Sequence, residues 1–208
     1  MTEYFRNTRA GYDAMAADYC AHFPDDLDAK PLDRAMIAAF AEAASGPVAD
    51  VGSGPGDVTA RLHAHGLDVF GVDLSPGMLA HARRSHPGLR FDEGTMTALD
   101  VPDGHLGGLV AHYSIIHLPP AEVPAAFAEF HRALSAGGHL LLAFQVGDEP
   151  NHYSEAFGHT VDLDFHRLSP DHTMELLRKT GFDVVAHLVR EARENEITPQ
   201  AYILARKA

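Results

Sequence analysis

The residues best suited to chemistry gather in one run, VADVGSGPGDVTARL, where Asp50, Gly52, Gly54 and Gly56 stand between an apolar β-like stretch and a helical pattern. Open α/β sheets leave a crevice beyond the carboxyl ends of their strands. A glycine-rich turn there lets the backbone approach a nucleotide-type ligand closely. Asp73 ends the next β-like stretch, 21 residues after Gly52, the spacing at which a carboxylate accepts hydrogen bonds from a ribose diol. Together they point to an adenosine-containing ligand. A dinucleotide fingerprint would carry its third glycine at position 57, where this chain has Asp57 at the helix start. Pyrophosphate is held by the free N–H groups and dipole of that helix N-terminus, and a carboxylate there repels it. Asp50 adds a second carboxylate. The loop therefore suits a ligand with an ammonium or sulfonium group better than one with phosphates.

The elements that must position these residues follow from hydrophobic periodicity. Residues 48–51, 69–72, 89–91, 109–113 and 140–146 read as strands; 32–44, 58–64, 78–84 and 123–134 read as helices. Such alternation predicts parallel strands with helical crossovers in a three-layer α/β sheet. LLLAF at 140–144 is apolar on both faces, as a strand covered by helices on each side must be. Ser45-Gly46-Pro47, Pro76 and Ala136-Gly137-Gly138 punctuate helix ends and starts. Residues 148–168 break the rhythm with His, aromatic and acidic residues. Ser169-Pro170-Asp171 then opens a helix over 173–180, closed by Gly181. The β-like runs 182–189 and 200–205 predict an antiparallel hairpin at the sheet's end.

Composition limits the function. With 208 residues, no internal repeat and no Gly/Ser linker, the chain reads as one domain, with residues 1–45 as an N-terminal helical cap, 46–147 as a ligand-binding core, 148–168 as a lid and 169–208 as the late helix and hairpin. A formal charge of −13, with 16 Lys+Arg against 29 Asp+Glu, disfavours a reader of nucleic-acid phosphates. No apolar run approaches the ~20 residues that span a bilayer. A single Cys20 excludes an internal disulfide, and the start lacks the apolar run of a secretion signal, so the chain reads as cytoplasmic. The 15 His residues form no Cys/His cluster with ligand spacing, and no metal is expected.

An ordered set of pieces resembles the class I S-adenosylmethionine-dependent methyltransferases, in particular the small-molecule branch related to ubiquinone and menaquinone methyltransferases. The pieces are YDAMAADY at 12–19, DVGSGPG at 50–56, GVDLSPGML at 71–79, EGTMTAL at 93–99, LVAHYSIIHL at 109–118, FHRALSAGGHLLLAF at 130–144 and RLSPDHTMELLRKTGF at 167–182. They span nearly the whole chain. The resemblance implies a Rossmann-like, mostly parallel seven-stranded sheet and S-adenosylmethionine as cofactor, leaving S-adenosylhomocysteine as product. It implies that the backbone of Gly52, Ser53 and Gly54 lies against the aminocarboxypropyl arm with Asp50 beneath it. Asp73 would hold the ribose hydroxyls, Leu74 and Met78 pack near the adenine, and Ala111 offer its carbonyl to the methionine ammonium. Where the family usually has Gly-Asp-Ala, this chain has Gly94-Thr95-Met96, which leaves the adenine contact to Thr95 and Met96. The N-terminal helix would close over the ligand with Tyr12 and Tyr19, and Lys30 is the nearest cation for the cofactor carboxylate.

Methyl transfer is an in-line displacement that mostly needs alignment, with a base required only when the acceptor must lose a proton. Tyr113 and His117 follow the fourth strand, and His117, with a reference pKa near ~6.5, is the natural base. A purely structural role for His117, capping the Pro119-Pro120 segment or supporting its loop, stays open beside it. His112, His152, Tyr153 and Phe157, with Tyr12, are the candidate acceptor-side residues. The expected activity is methyl transfer to O, N or C of a small, hydrophobic or aromatic molecule by a monomer or homodimer. The alternatives are a protein of the same fold that binds S-adenosylmethionine for cyclisation or regulation, and a nicotinamide-dependent oxidoreductase. Asp57 and the lack of a Tyr-x-x-x-Lys set argue against the oxidoreductase.

Overall fold

A computed structural model describes residues 2–23, 26–194 and 196–208. Its centre is a seven-stranded sheet in the order β3-β2-β1-β4-β5-β9-β8. The strands β1 (Pro47–Val51), β2 (Asp68–Asp73), β3 (Arg90–Glu93), β4 (Leu106–His112) and β5 (Leu134–Gln145) run parallel. The terminal pair β8 (Phe182–Arg190) and β9 (Gln200–Lys207) is antiparallel.

The two-residue period of the strands sorts their apolar residues onto two faces. On one face Ala49, Val51, Leu109, Ala111, Leu140, Leu142, Ile203 and Ala205 pack under α5 (Val123–Ala133) and α6 (Pro170–Lys179). On the other, Val48, Val110, Leu141 and Leu204 pack under α2 (Pro31–Ala43) and α3 (Asp57–Ala64). Asp50 belongs to this second face. α5 buries Val123, Ala126, Phe127, Phe130 and Ala133, the single stripe that helical spacing dictates. α4 (Pro76–Ser85) starts at Ser75, whose hydroxyl accepts the Met78 N–H at 3.1 Å, and Leu79 and Ala82 cover Phe91 of β3.

Three features depart from the sequence expectation. β5 begins at Leu134, not 140: α5 ends at Ala133, Leu134 already pairs with Leu106, and a register shift that includes Gly137 at φ +77° precedes the next pair, His139 with Gly108. Tyr113, the last residue of the β-like run 109–113, lies just beyond β4 with φ +53°. Residues 148–168 hold a hairpin of β6 (Asn151–Ala156) and β7 (His159–Phe165), closed by Phe157-Gly158 at φ +51° and +77°. Two consecutive positive φ values match the right-handed strand twist of a two-residue hairpin turn. Val161 and Leu163 of β7 seat this hairpin on Met15 of α1 (Glu3–His22), while Asn7 donates to Asp162 at 2.6 Å and the His159 ring meets Asp18 at 2.8 Å. No described helix is long and apolar enough to cross a membrane.

Candidate active site

The sheet order reverses between β1 and β4, and the glycine loop leaves β1 at that point. Gly52, Gly54 and Gly56 all have positive φ (+76°, +52° and +92°), yet they serve different needs. A Cβ on Gly52 would lie 2.2 Å from Cβ of Ser114, whose hydroxyl donates to the Val51 carbonyl at 2.6 Å. A Cβ on Gly56 would lie 2.7 Å from the Phe91 ring. Gly54 has nothing within 4 Å and faces open space. Gly52→Ala therefore combines a left-handed backbone penalty with a clash against a pinned serine. Chemical denaturation should show a loss of about 2–4 kcal/mol, from strain and overpacking together.

Behind the loop, Asp73 ties two segments together. Its carboxylate accepts the Gly54 N–H at 2.7 Å and the Ser75 N–H at 2.8 Å. Burial raises its pKa above the usual carboxylate range, against the pull of those backbone N–H groups. Asp50 is almost fully buried and accepts the Thr59 hydroxyl at 2.6 Å. Burial, with the nearby Asp73 charge, pushes its pKa up to about 7. α1 closes over this end through Asp13, which accepts from the Ser75 hydroxyl at 2.6 Å and the Gly77 N–H at 2.9 Å.

These groups open on a cavity of about 650 Å³. At its loop end lie Asp50, Gly52, Ser53 and Gly54, with Asp73, Leu74, Met78, Thr95 and Met96 beside them. Tyr12, Tyr19, Lys30, His112, Tyr113 and His117 line the middle, and Tyr153 and Phe157 of the hairpin reach its far wall. Two expected residues do not send a side chain into it. The Ala111 side chain is fully buried in the core beneath α5, so only its backbone, at the end of β4 beside His112, is placed for the expected carbonyl contact. His152 lies on the outer side of β6, paired across the hairpin with Asp164 at 2.9 Å, while Tyr153 faces inward opposite Leu163.

His117 has a defined protonation pattern. Its Nδ1 is 3.1 Å from the Asp164 carbonyl, which only accepts, so Nδ1 carries the proton and Nε2 accepts from the Tyr12 hydroxyl at 2.9 Å. Phe165 packs against the imidazole edge with ring centroids 4.7 Å apart. Burial lowers the His117 pKa to about 4, and burial likewise drives Tyr12 upward. Both are neutral at pH 7. Tyr113 shares a 2.9 Å hydrogen bond with Tyr202, and burial raises its pKa as well. Lys30 Nζ lies 5.8 Å from the Tyr113 ring centre. Deeper in, Asp33 is 1% exposed, with His112 Nε2 at 3.6 Å and Arg190 Nε at 3.8 Å.

Asp13, Ser114 and Asp33 were not among the residues singled out from sequence. Asp13 follows Tyr12 inside the YDAMAADY run, so a signal was present there. Ser114 and Asp33 gain their roles only through partners 63 and about 79 residues away, Val51 and His112 respectively, and no local pattern marks them.

A methyltransferase domain family matches residues 48–138, from β1 into β5. An uncharacterized methyltransferase of Bacillus cytotoxicus is 28% identical over 150 residues, covering 67% of this chain and 70% of the relative. The demethylmenaquinone methyltransferase of Beutenbergia cavernae is 32% identical over 110 residues, covering 53% of this chain and 45% of the relative, so the match spans less than half of that protein. In fold, the magnesium protoporphyrin IX methyltransferase of Synechocystis PCC 6803, solved with bound S-adenosylmethionine, superposes with a TM-score of 0.77 at 14% identity, over 100% of this chain and 99% of that one. Sequence match and sheet topology agree: residues 48–138 match a methyltransferase domain, and the chain shares the fold of S-adenosylmethionine-dependent methyltransferases.

Proposed function

We propose that this chain moves the methyl group of S-adenosylmethionine to an O, N or C atom of a small, hydrophobic or aromatic molecule. The observation that carries the reading is the continuity of the cavity, which runs from the glycine loop and Asp73 to His117 and the hairpin. The loop end fits the cofactor. Gly54 leaves open space where any side chain would intrude, Asp73 retains lone pairs beyond its two backbone donors, and Asp50 and Asp57 favour a cation over a pyrophosphate. When bound, the cofactor supplies a methyl carbon activated by its positive sulfur leaving group.

The chain's own work is alignment, shielding and proton transfer. α1 and the hairpin wall the cavity with Tyr12, Tyr19, Tyr153 and Phe165, which exclude water and hold a planar acceptor. An acceptor hydroxyl or amine beside Tyr12 passes its proton to the phenol oxygen while the phenol proton moves to His117 Nε2. The Nδ1–H bond to Asp164 then holds the imidazolium in place. Incubation with methyl-labelled cofactor and a panel of small phenols, anilines and CH-acids tests the reading. Label appearing in a panel member with equimolar S-adenosylhomocysteine is expected; label retained in the cofactor throughout speaks against it.

The neutral His117 has a stability consequence. Its folded pKa near 4 lies below the unfolded reference of ~6.5, so the unfolded chain binds a proton that the fold refuses. Stability from this residue is intact above pH 6.5 and falls as pH drops towards 4, by up to about 3 kcal/mol. Urea unfolding of wild type and His117→Gln should show a smaller loss in the variant between pH 6.5 and 4.5.

A further inference from the structure

From one unpaired cation we infer that the acceptor carries a carboxylate, held by Arg167, and that the protein acts on small aromatic acids; this rests on the methyl-transfer reading. Arg167 lines the cavity and, among the described residues, makes no hydrogen bond or ion pair. Its Nε is shut off from solvent without a partner, an arrangement that is costly unless a ligand completes it. The other arginine on the cavity wall, Arg9, is paired with Glu93 at 2.6 Å.

The backbone fixes where this cation sits. His166 N–H donates to the Ile116 carbonyl at 2.7 Å and Leu168 N–H to the Gln145 carbonyl at 2.9 Å, so both neighbours of Arg167 are anchored. A bridge between Val146 and Leu168 adds to this, and the Arg167 stem lies over Gly147, where a Cβ would come within 2.9 Å of Cδ. Alternation along the hairpin turns Leu163, Phe165 and Arg167 into the cavity together. This is the end of β5, on the opposite side of β4 from the glycine loop and Asp73. The cation therefore faces the acceptor and not the cofactor. The surrounding walls are aromatic, with Tyr153 and Phe165 at 5.2 Å and Phe165 and His117 at 4.7 Å between ring centres. Glu155 also lines this wall but is exposed, and Glu196 is held by Arg190 at 2.5 and 2.7 Å. A planar ring between the aromatics with its carboxylate on the guanidinium fork satisfies all of these groups.

The test compares 4-hydroxybenzoate with its neutral isostere 4-hydroxybenzamide, titrated calorimetrically into protein with and without S-adenosylhomocysteine. Wild type should bind the acid at least tenfold more tightly than the amide. Arg167→Gln should abolish that preference without weakening the amide, and Arg167→Lys, which keeps the charge, should restore part of it. Equal binding of acid and amide, binding of neither, or a preference that survives in Arg167→Gln overturns the inference. Because S-adenosylhomocysteine affinity is read in the same titrations, a failed acid preference with intact cofactor binding is distinguishable from failure of the methyl-transfer reading.

Discussion

Asp73→Ala should weaken S-adenosylhomocysteine binding by about 100-fold or more, measured by calorimetric titration. In the proposed complex the carboxylate accepts both ribose hydroxyls, and hydrogen bonds to a charged group contribute about 1.5–3 kcal/mol each, where 1.4 kcal/mol is tenfold in affinity. The same carboxylate holds Gly54 and Ser75 by their N–H groups, so its removal also loosens the loop that must touch the cofactor. Asp73→Asn separates the two effects. The amide oxygen keeps one backbone bond while its NH₂ opposes the other donor, and affinity should fall nearly as far with less loss of stability. A change under threefold in both variants would show that Asp73 serves only the loop.

His117→Ala should lower kcat by about 10²- to 10⁴-fold, the usual contribution of a positioned base, while cofactor affinity changes by less than about twofold. Tyr12→Phe removes the relay hydroxyl but keeps the ring that meets Tyr19 edge-on at 6.0 Å. Its kcat should fall into the same range. The two residues share one proton path, so the double variant should be little slower than either single one. Additive losses, or full turnover in His117→Ala, would leave the Tyr12–His117 pair as a brace between α1 and the loop after β4 and not a proton path.

The parallel strands are legible in the sequence because a strand covered on both faces must be apolar throughout, as residues 140–144 are. The glycine loop and Asp73 are legible because their geometry demands particular residues at particular spacings. The β6–β7 hairpin escapes periodicity because β6 packs on little; its residues are mostly exposed, and only the Phe157-Gly158 turn betrays it. His152 and Tyr153 were both expected on the acceptor side, and strand alternation turns only Tyr153 into the cavity. Arg167 carries no mark in its own segment, since its importance lies in partners that are missing, and only the assembled cavity shows that none reaches it. Family resemblance supplied what local pattern could not, the order of the motifs along the chain.

The most direct test of the central claim is calorimetric titration of the protein with S-adenosylmethionine, S-adenosylhomocysteine and NAD in parallel, intrinsic fluorescence being poorly suited to a chain without Trp. Micromolar binding of the first two with no heat from NAD is the predicted result. Binding of NAD alone, or of none of the three, would contradict the assignment of the glycine loop and Asp73 to this cofactor.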